Sequence, residues 1–242
     1  MSGQDRQPGE DVQTGDDWKA LKAQAFIQKL EAERDYFAAE ARRSVANAEQ
    51  YEIVARSKVR EEKNELAKDA HHHVYMFDKQ VNDSSVKECV KELTRWHRQD
   101  SKCAIELQLN SPGGTINDGF ALIDYIRGLE DSGHAITTMA FGMAASMAGV
   151  ILQVGGQRVM GKNAFLLIHE GSLGAVGDVG AVEDRVELMH MYHDKIVDLF
   201  VSRAHPINPK TTERFIRNNW KRKDWWIPAE NCLKLGFIDE IR

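Results

Sequence analysis

Three short segments carry residues suited to covalent chemistry. The first is Asn110-Ser-Pro-Gly-Gly114, where an apolar run ends in paired glycines. Glycine lets backbone approach a ligand closely, and free N–H groups at a following helix start form an anion site. An oxyanion hole needs those features, and a plain strand-to-helix turn uses the same residues. The second is Phe141-Gly-Met-Ala-Ala-Ser146-Met-Ala-Gly149, a serine among small residues at the expected start of an apolar helix. A helix N-terminus stabilises negative charge beside that hydroxyl, which suits a nucleophile. A buried serine bonded back to a carbonyl one turn earlier has the same surroundings. The segment is not the GxSxG elbow of the hydrolases. The third is Leu166-Leu-Ile-His169-Glu170, a histidine closing an apolar run. A general base is presented at such a strand end, and an ordinary core or surface histidine also sits there.

Other reactive residues lead less far. His71-His-His73 are consecutive and point in different directions, so they do not share one ion. His97, His134, His190, His193 and His205 show no metal-ligand spacing, and no metal or organic cofactor is expected. Cys89, Cys103 and Cys232 are scattered without a CxxC, which reads as three small buried residues in a reduced, cytosolic protein. Lys221-Arg-Lys223 followed by Trp225-Trp226 is read as a basic, aromatic surface turn. With a net charge of -5, the chain is not expected to bind nucleic acid. No run of apolar residues is long enough for a membrane span, and the polar N-terminus lacks a secretory core.

The elements that must position these residues follow from breakers and periodicity. Residues 1–15 read as a disordered lead-in. After Gly15 no glycine occurs until Gly113, and after Pro8 no proline until Pro112. The segment from Asp16 to about Lys68 is rich in good helix formers and predicts one long helix. Its apolar stripe runs Leu30, Phe37, Ala41, Val45, Ala48, Ala55, Val59 and Leu66, interrupted by Arg34, Glu52 and Glu62. The heptads are too irregular for a coiled coil, so the helix either packs on a partner chain, a neighbouring subunit or the body of the protein, or stands as a solvated spacer. Beyond it, strands are expected at Val74–Phe77, Ala104–Leu109, Ala135–Met139, Val159–Met160 and Ala164–Ile168. Helices are expected from Ser84 or Ser85 to Arg98, and over 116–129, 144–152, 181–203, 209–219 and 229–235. Alternating strands and helices predict a layered α/β fold. The expected division is 1–15 lead-in, 16–70 helical extension and 71–242 enzymatic domain.

Taken in order, the three segments and the late Lys223-Asp-Trp-Trp-Ile-Pro-Ala-Glu-Asn-Cys-Leu-Lys-Leu-Gly-Phe-Ile-Asp239 resemble the Clp protease proteolytic subunit family. Asn110 to Gly114, Gly142, Ala144 to Met147, Ile168, His169, Asp224, Ala229, Glu230, Gly236 and Asp239 match its pattern over about residues 74–242. The resemblance implies a ClpP/crotonase-type α/β spiral of β-β-α units behind the helical extension. It implies Ser146 as nucleophile, His169 as base and Asp224 as the residue orienting the imidazole. Gly114 and Met147 would supply the oxyanion-hole N–H groups. Gly113, Gly171, Ser172 and Leu173 would bind a polypeptide substrate, with Gly171 to Asp178 laying it out as a strand. Residues 181–203 would be the handle helix through which homo-oligomeric rings stack.

The departures bear on specificity and partners. Glu170 stands for the usual Gln, Gly171 for Pro, Met143 for Gln, and Ala148-Gly149 for Gly-Ala. Asp78-Lys79 follow the first strand where the family favours glycine. The helical extension would alter docking of an ATP-driven unfoldase. It is similar to extensions on phage and prophage head-maturation proteases, which implies a capsid or scaffold partner and a place in host cytoplasm or prohead. Three other readings compete. A crotonase-like acyl-CoA enzyme needs carboxylates beside the hole, and only Asp118 is near in sequence. A Ser-Lys peptidase using Lys162 would carry a membrane segment. An inactive scaffold module fits poorly with an intact Ser, His and Asp set.

Overall fold

The computed structural model describes residues 15–171, 174 and 176–242. Ser172 and Leu173 lie outside the described residues, as does nearly all of the expected lead-in. The chain divides into two units, up to Glu65 and from Leu66 to Arg242.

Among the described residues the first unit is the helix α1, Gly15–Leu66, less its last residue. Its 52 residues span about 78 Å at 1.5 Å each. Leu30, Phe37, Val45 and Val59 of the apolar stripe are all exposed.

The second unit alternates strand and helix. It runs β1 (Val74–Phe77), α2 (Asp83–Gln99), β2 (Ala104–Ser111), α3 (Ile116–Asp131) and β3 (Ala135–Ala145). Then come α4 (Met147–Leu152), β4 (Gln157–Met160), β5 (Phe165–Ile168) and α5 (Val179–Ala204). It ends with α6 (Glu213–Trp220), β6 (Trp225–Pro228), α7 (Ala229–Leu235) and β7 (Glu240–Ile241). This is the expected α/β class with an N-terminal helical extension.

Local chemistry explains the boundaries. Asn82 caps α2 by accepting from the Ser85 N–H, while the Ser85 hydroxyl accepts from the Asn82 N–H. Helix α2 therefore starts at Asp83, ahead of the expected serine. Val86, Cys89, Leu93 and Trp96 recur at helical spacing and are buried. Helix α7 stops at Gly236, whose φ of +81° suits a left-handed cap.

Strands β1, β2, β3, β4 and β7 pair in parallel in that order. On the side away from β2, strand β3 serves two partners. Its first half pairs with β4, from Thr137 with Gln157 to Ala140 with Met160. Its second half pairs with β5, from Met143 with Phe165 to Ala145 with Leu167. Strand β6 then pairs antiparallel with β5, ending at Ile168 opposite Trp225.

Two expectations change here. Ala144 and Ala145 belong to β3, so α4 begins only at Met147. Ladder bonds to β5 override the helix preference of alanine. Trp225-Trp226 do not form a surface turn: they open β6, and Trp225 packs on Phe215 and Phe237. Strand β7 was also unforeseen. It is two residues long and held against β4.

Candidate active site

The registers above bring three chain segments to one place. Ala145 is level with Leu167, so Ser146 and His169 emerge from adjacent parallel strand ends. Ile168 opposite Trp225 sets His169 beside Asp224. Ser146 Oγ lies 2.7 Å from His169 Nε2, a full hydrogen bond. His169 Nδ1 lies 3.5 Å from Asp224 Oδ1, longer than the ~2.9 Å of an ordinary N–H···O bond. The Asp224 side chain is 62% exposed and that of His169 29%.

Ser146 has φ +53° and ψ -124°, a conformation few non-glycine residues adopt. Its N–H donates to the Leu167 carbonyl at 2.9 Å, which fixes the strained residue against β5. The strain turns the side chain out of the β3 ladder just before α4 begins.

The paired glycines sit against this corner. Gly113 has φ +84°, and a Cβ there would lie 2.4 Å from the Ala145 carbonyl oxygen, 2.7 Å from Ser146 Cβ and 2.8 Å from the Met147 nitrogen. At Gly114 a Cβ would lie 2.1 Å from the Val81 carbonyl oxygen. Only glycine permits this approach. The turn is anchored by Val81 N–H donating to Gly113 and Thr115 N–H donating to Val81, both at 2.8 Å.

A cavity of about 300 Å³ joins these parts. Gly113, Gly114, Ser146, Met147, His169 and Gly171 line it. Ile116, Val150, Leu167, Ile196 and Trp220 supply its apolar walls, and Gln80 and Glu170 also line it. Ile196 of α5 and Trp220 of α6 were not singled out in the sequence. Their only local signal is an apolar residue on a helix, which is shared by every core position. Of the expected substrate-binding residues, Gly113 and Gly171 line the cavity, and Ser172 and Leu173 lie outside the described residues.

The remaining reactive residues are elsewhere. Cys89, Cys103 and Cys232 are free and buried. Burial pushes the thiols of Cys89 and Cys232 far above the usual range, and raises that of Cys103. None of the three lines the cavity. Among the described residues no group of three or more His, Cys, Asp or Glu could hold a metal ion. No described helix is long and apolar enough to cross a membrane. Asp239 matched the family pattern and lies in a structural ion pair with Arg158.

A Clp protease family model matches residues 58–242, most of the chain, beginning near the end of α1. The chain is also similar to the ATP-dependent Clp protease proteolytic subunit 2 of Tropheryma whipplei (strain Twist). The two are 30% identical over 164 residues, which cover 67% of this chain and 86% of that protein.

Proposed function

The chain belongs to the Clp protease family of peptidases, and we propose that it is a serine endopeptidase acting through Ser146, His169 and Asp224. The 2.7 Å approach of Ser146 Oγ to His169 Nε2 carries this reading. Ser146 Oγ attacks the carbonyl carbon of a peptide bond and gives its proton to His169 Nε2. The carbon–oxygen bond forms and the carbonyl electrons move onto its oxygen. That oxyanion is received by the N–H groups of Gly114 and Met147. The C–N bond then breaks and the amine leaves with the proton held by His169. Water, deprotonated by His169, hydrolyses the acyl-serine and returns the proton to Ser146. Asp224 stabilises the imidazolium through Nδ1, and it does so from 3.5 Å in the resting enzyme.

Polypeptides are the substrates, with Gly113 and Gly171 flanking the extended chain. The active unit is a homo-oligomeric ring, and two rings stack through α5. The exposed Val179, Val186 and Met191 on that helix support this arrangement. Helix α1 tethers the ring to a capsid or scaffold protein during phage head maturation, in host cytoplasm or prohead. The exposed apolar side chains of α1 support a partner there. The alternative partner is an ATP-dependent unfoldase; the bacterial relative is named as the proteolytic subunit of an ATP-dependent protease.

The decisive experiment is intact-mass labelling with a fluorophosphonate, comparing wild type with Ser146→Ala. One adduct, mapped to Ser146 and lost in the variant, is the expected result. Absence of an adduct on folded, assembled protein overturns the assignment.

A further inference from the structure

Asp224 is the least constrained member of the site: it is mostly exposed and it precedes β6 in a turn of irregular backbone. Two hydrogen bonds of that turn are local. Lys221 N–H donates to Arg217 and Lys223 N–H donates to Trp220, both at 3.2 Å. Neither reaches the segment that carries His169. A third bond does. Arg222 N–H donates to Glu170 Oε2 at 3.0 Å, linking residues 52 apart in sequence. Arg222 has φ +57°, so its N–H is aimed by a backbone conformation that the turn alone does not favour.

Glu170 is itself well placed to hold something still. It follows His169 directly, and its carbonyl accepts from His193 Nε2–H of α5 at 2.5 Å. His193 in turn packs with its ring tilted against Trp220, the last residue of α6 before the turn. Backbone and side chain of one residue therefore fasten the His169 strand end to α5 and to the Asp224 turn. Besides the active-site cavity, Glu170 lines a second one that is charged on its far sides. His190 and His193 come from α5, Glu213, Arg214 and Arg217 from α6, and Lys221 from the turn.

We propose that Glu170 is a positioning residue, whose carboxylate holds the 221–224 turn so that Asp224 stays within reach of His169. It lines the cavity beside Ser146 and His169, but its hydrogen bonds go to His193 and Arg222, so it acts on the reaction through Asp224. The proposal rests on the serine-peptidase reading above. The bond needs an acceptor oxygen at the end of a three-carbon side chain. Glutamine supplies one, alanine supplies none, and aspartate falls one methylene short.

The test is the second-order rate constant for fluorophosphonate labelling of Ser146, read on the full chain. Glu170→Ala is expected to lower it about 10- to 100-fold, the scale of a misplaced catalytic group. Glu170→Gln is expected to stay within about twofold of wild type, because its carbonyl oxygen accepts the same bond. The deciding measurement repeats both changes in an Asp224→Asn background. There Glu170→Ala should cost less than about twofold, since the residue it serves is already disabled. If Glu170→Ala does not fold, Glu170→Asp takes its place and is expected to behave as the alanine variant. Equal losses in both backgrounds overturn the proposal, as does wild-type labelling of the alanine or aspartate variant. Absence of any Ser146 adduct in the wild type instead removes the serine-peptidase reading, and this inference with it.

Discussion

Arg158 grips Asp239 through both carboxylate oxygens, with Nε 3.0 Å from Oδ2 and Nη2 2.6 Å from Oδ1. The Arg158 N–H adds a third bond to Oδ2 at 2.8 Å. The guanidinium is almost fully buried, and its other nitrogen donates to Gln153 Oε1 and the Gly236 carbonyl. The pair ties β4 to the chain leading into β7. Asp239→Ala should therefore leave a buried charge without its partner. Because the carboxylate is about a third exposed, the expected loss is ~2–3 kcal/mol, below that of a fully buried broken pair. Replacing both residues, as Arg158→Met with Asp239→Leu, should cost less than the single change, since no orphan charge remains. Urea unfolding measures both.

The same pair gives a pH dependence. Burial raises the Asp239 carboxyl, but the hydrogen bonds and charge of Arg158 outweigh it and hold the group below its ordinary value. A depressed folded-state value means the unfolded chain binds the proton more readily. The contribution is then full above the unfolded carboxyl value of about 3.9 and is lost as pH falls through the folded one. Wild type should lose stability faster than Asp239→Ala on acidification below about pH 4, so the two unfolding curves converge there. A constant gap between them down to strong acid would contradict the assignment.

Ser146 combines the reactive hydroxyl with a left-handed φ of +53°. Strain of this kind costs on the order of 1–3 kcal/mol, against about 0.5–1 kcal/mol of backbone entropy for a glycine. Ser146→Gly should raise stability by roughly 1 kcal/mol while abolishing fluorophosphonate labelling. Ser146→Ala should abolish labelling with no such gain, because alanine keeps the Cβ that the conformation resists. Thermal unfolding of the two variants side by side separates the strain from the hydroxyl.

Much of this site is legible in sequence because its parts end apolar runs. Gly113-Gly114 follow β2, Ser146 follows β3 and His169 follows β5. The long α1 is legible from the missing glycines and prolines. What escapes is set by partners distant in the chain. Trp225–Pro228 follow three basic residues and end in proline, so locally they look like a turn, and only pairing with β5 makes them a strand. Ala144-Ala145 look helical until β5 lies beside them. Asp239 fits a family pattern that suggests a site, whereas Arg158 across 81 residues gives it a structural task. Glu170 carries no local sign of its bond to Arg222.

The cysteines give a negative control with a physical basis. Buried thiols whose ionisation is pushed up have little thiolate to react. Native protein should resist a maleimide on the timescale in which fluorophosphonate reacts, and all three thiols should react once guanidinium unfolds it. Loss of Ser146 labelling after mild maleimide treatment would show that a cysteine reaches the site.

The oxyanion role of the glycine turn can be isolated because two glycines of this unit differ so sharply in surroundings. At Gly128, on the exposed side of α3, an added Cβ meets nothing within 4 Å. Gly128→Ala should leave labelling unchanged and raise stability by about 0.4–1 kcal/mol through the unfolded chain. At Gly113 the same methyl would press on the Ala145 carbonyl, Ser146 Cβ and the Met147 nitrogen, all closer than a methyl can sit. Relief requires the turn to move away from Ser146, carrying the Gly114 N–H with it. Gly113→Ala is therefore expected to slow Ser146 acylation about 10²-fold, the cost of one lost oxyanion donor. The Ser146–His169 pair stands on β3 and β5 and is not displaced by that movement. Rapid-quench labelling of the two variants makes the comparison. Equal rates would mean that the N–H groups receiving the oxyanion lie outside the Gly113–Gly114 turn.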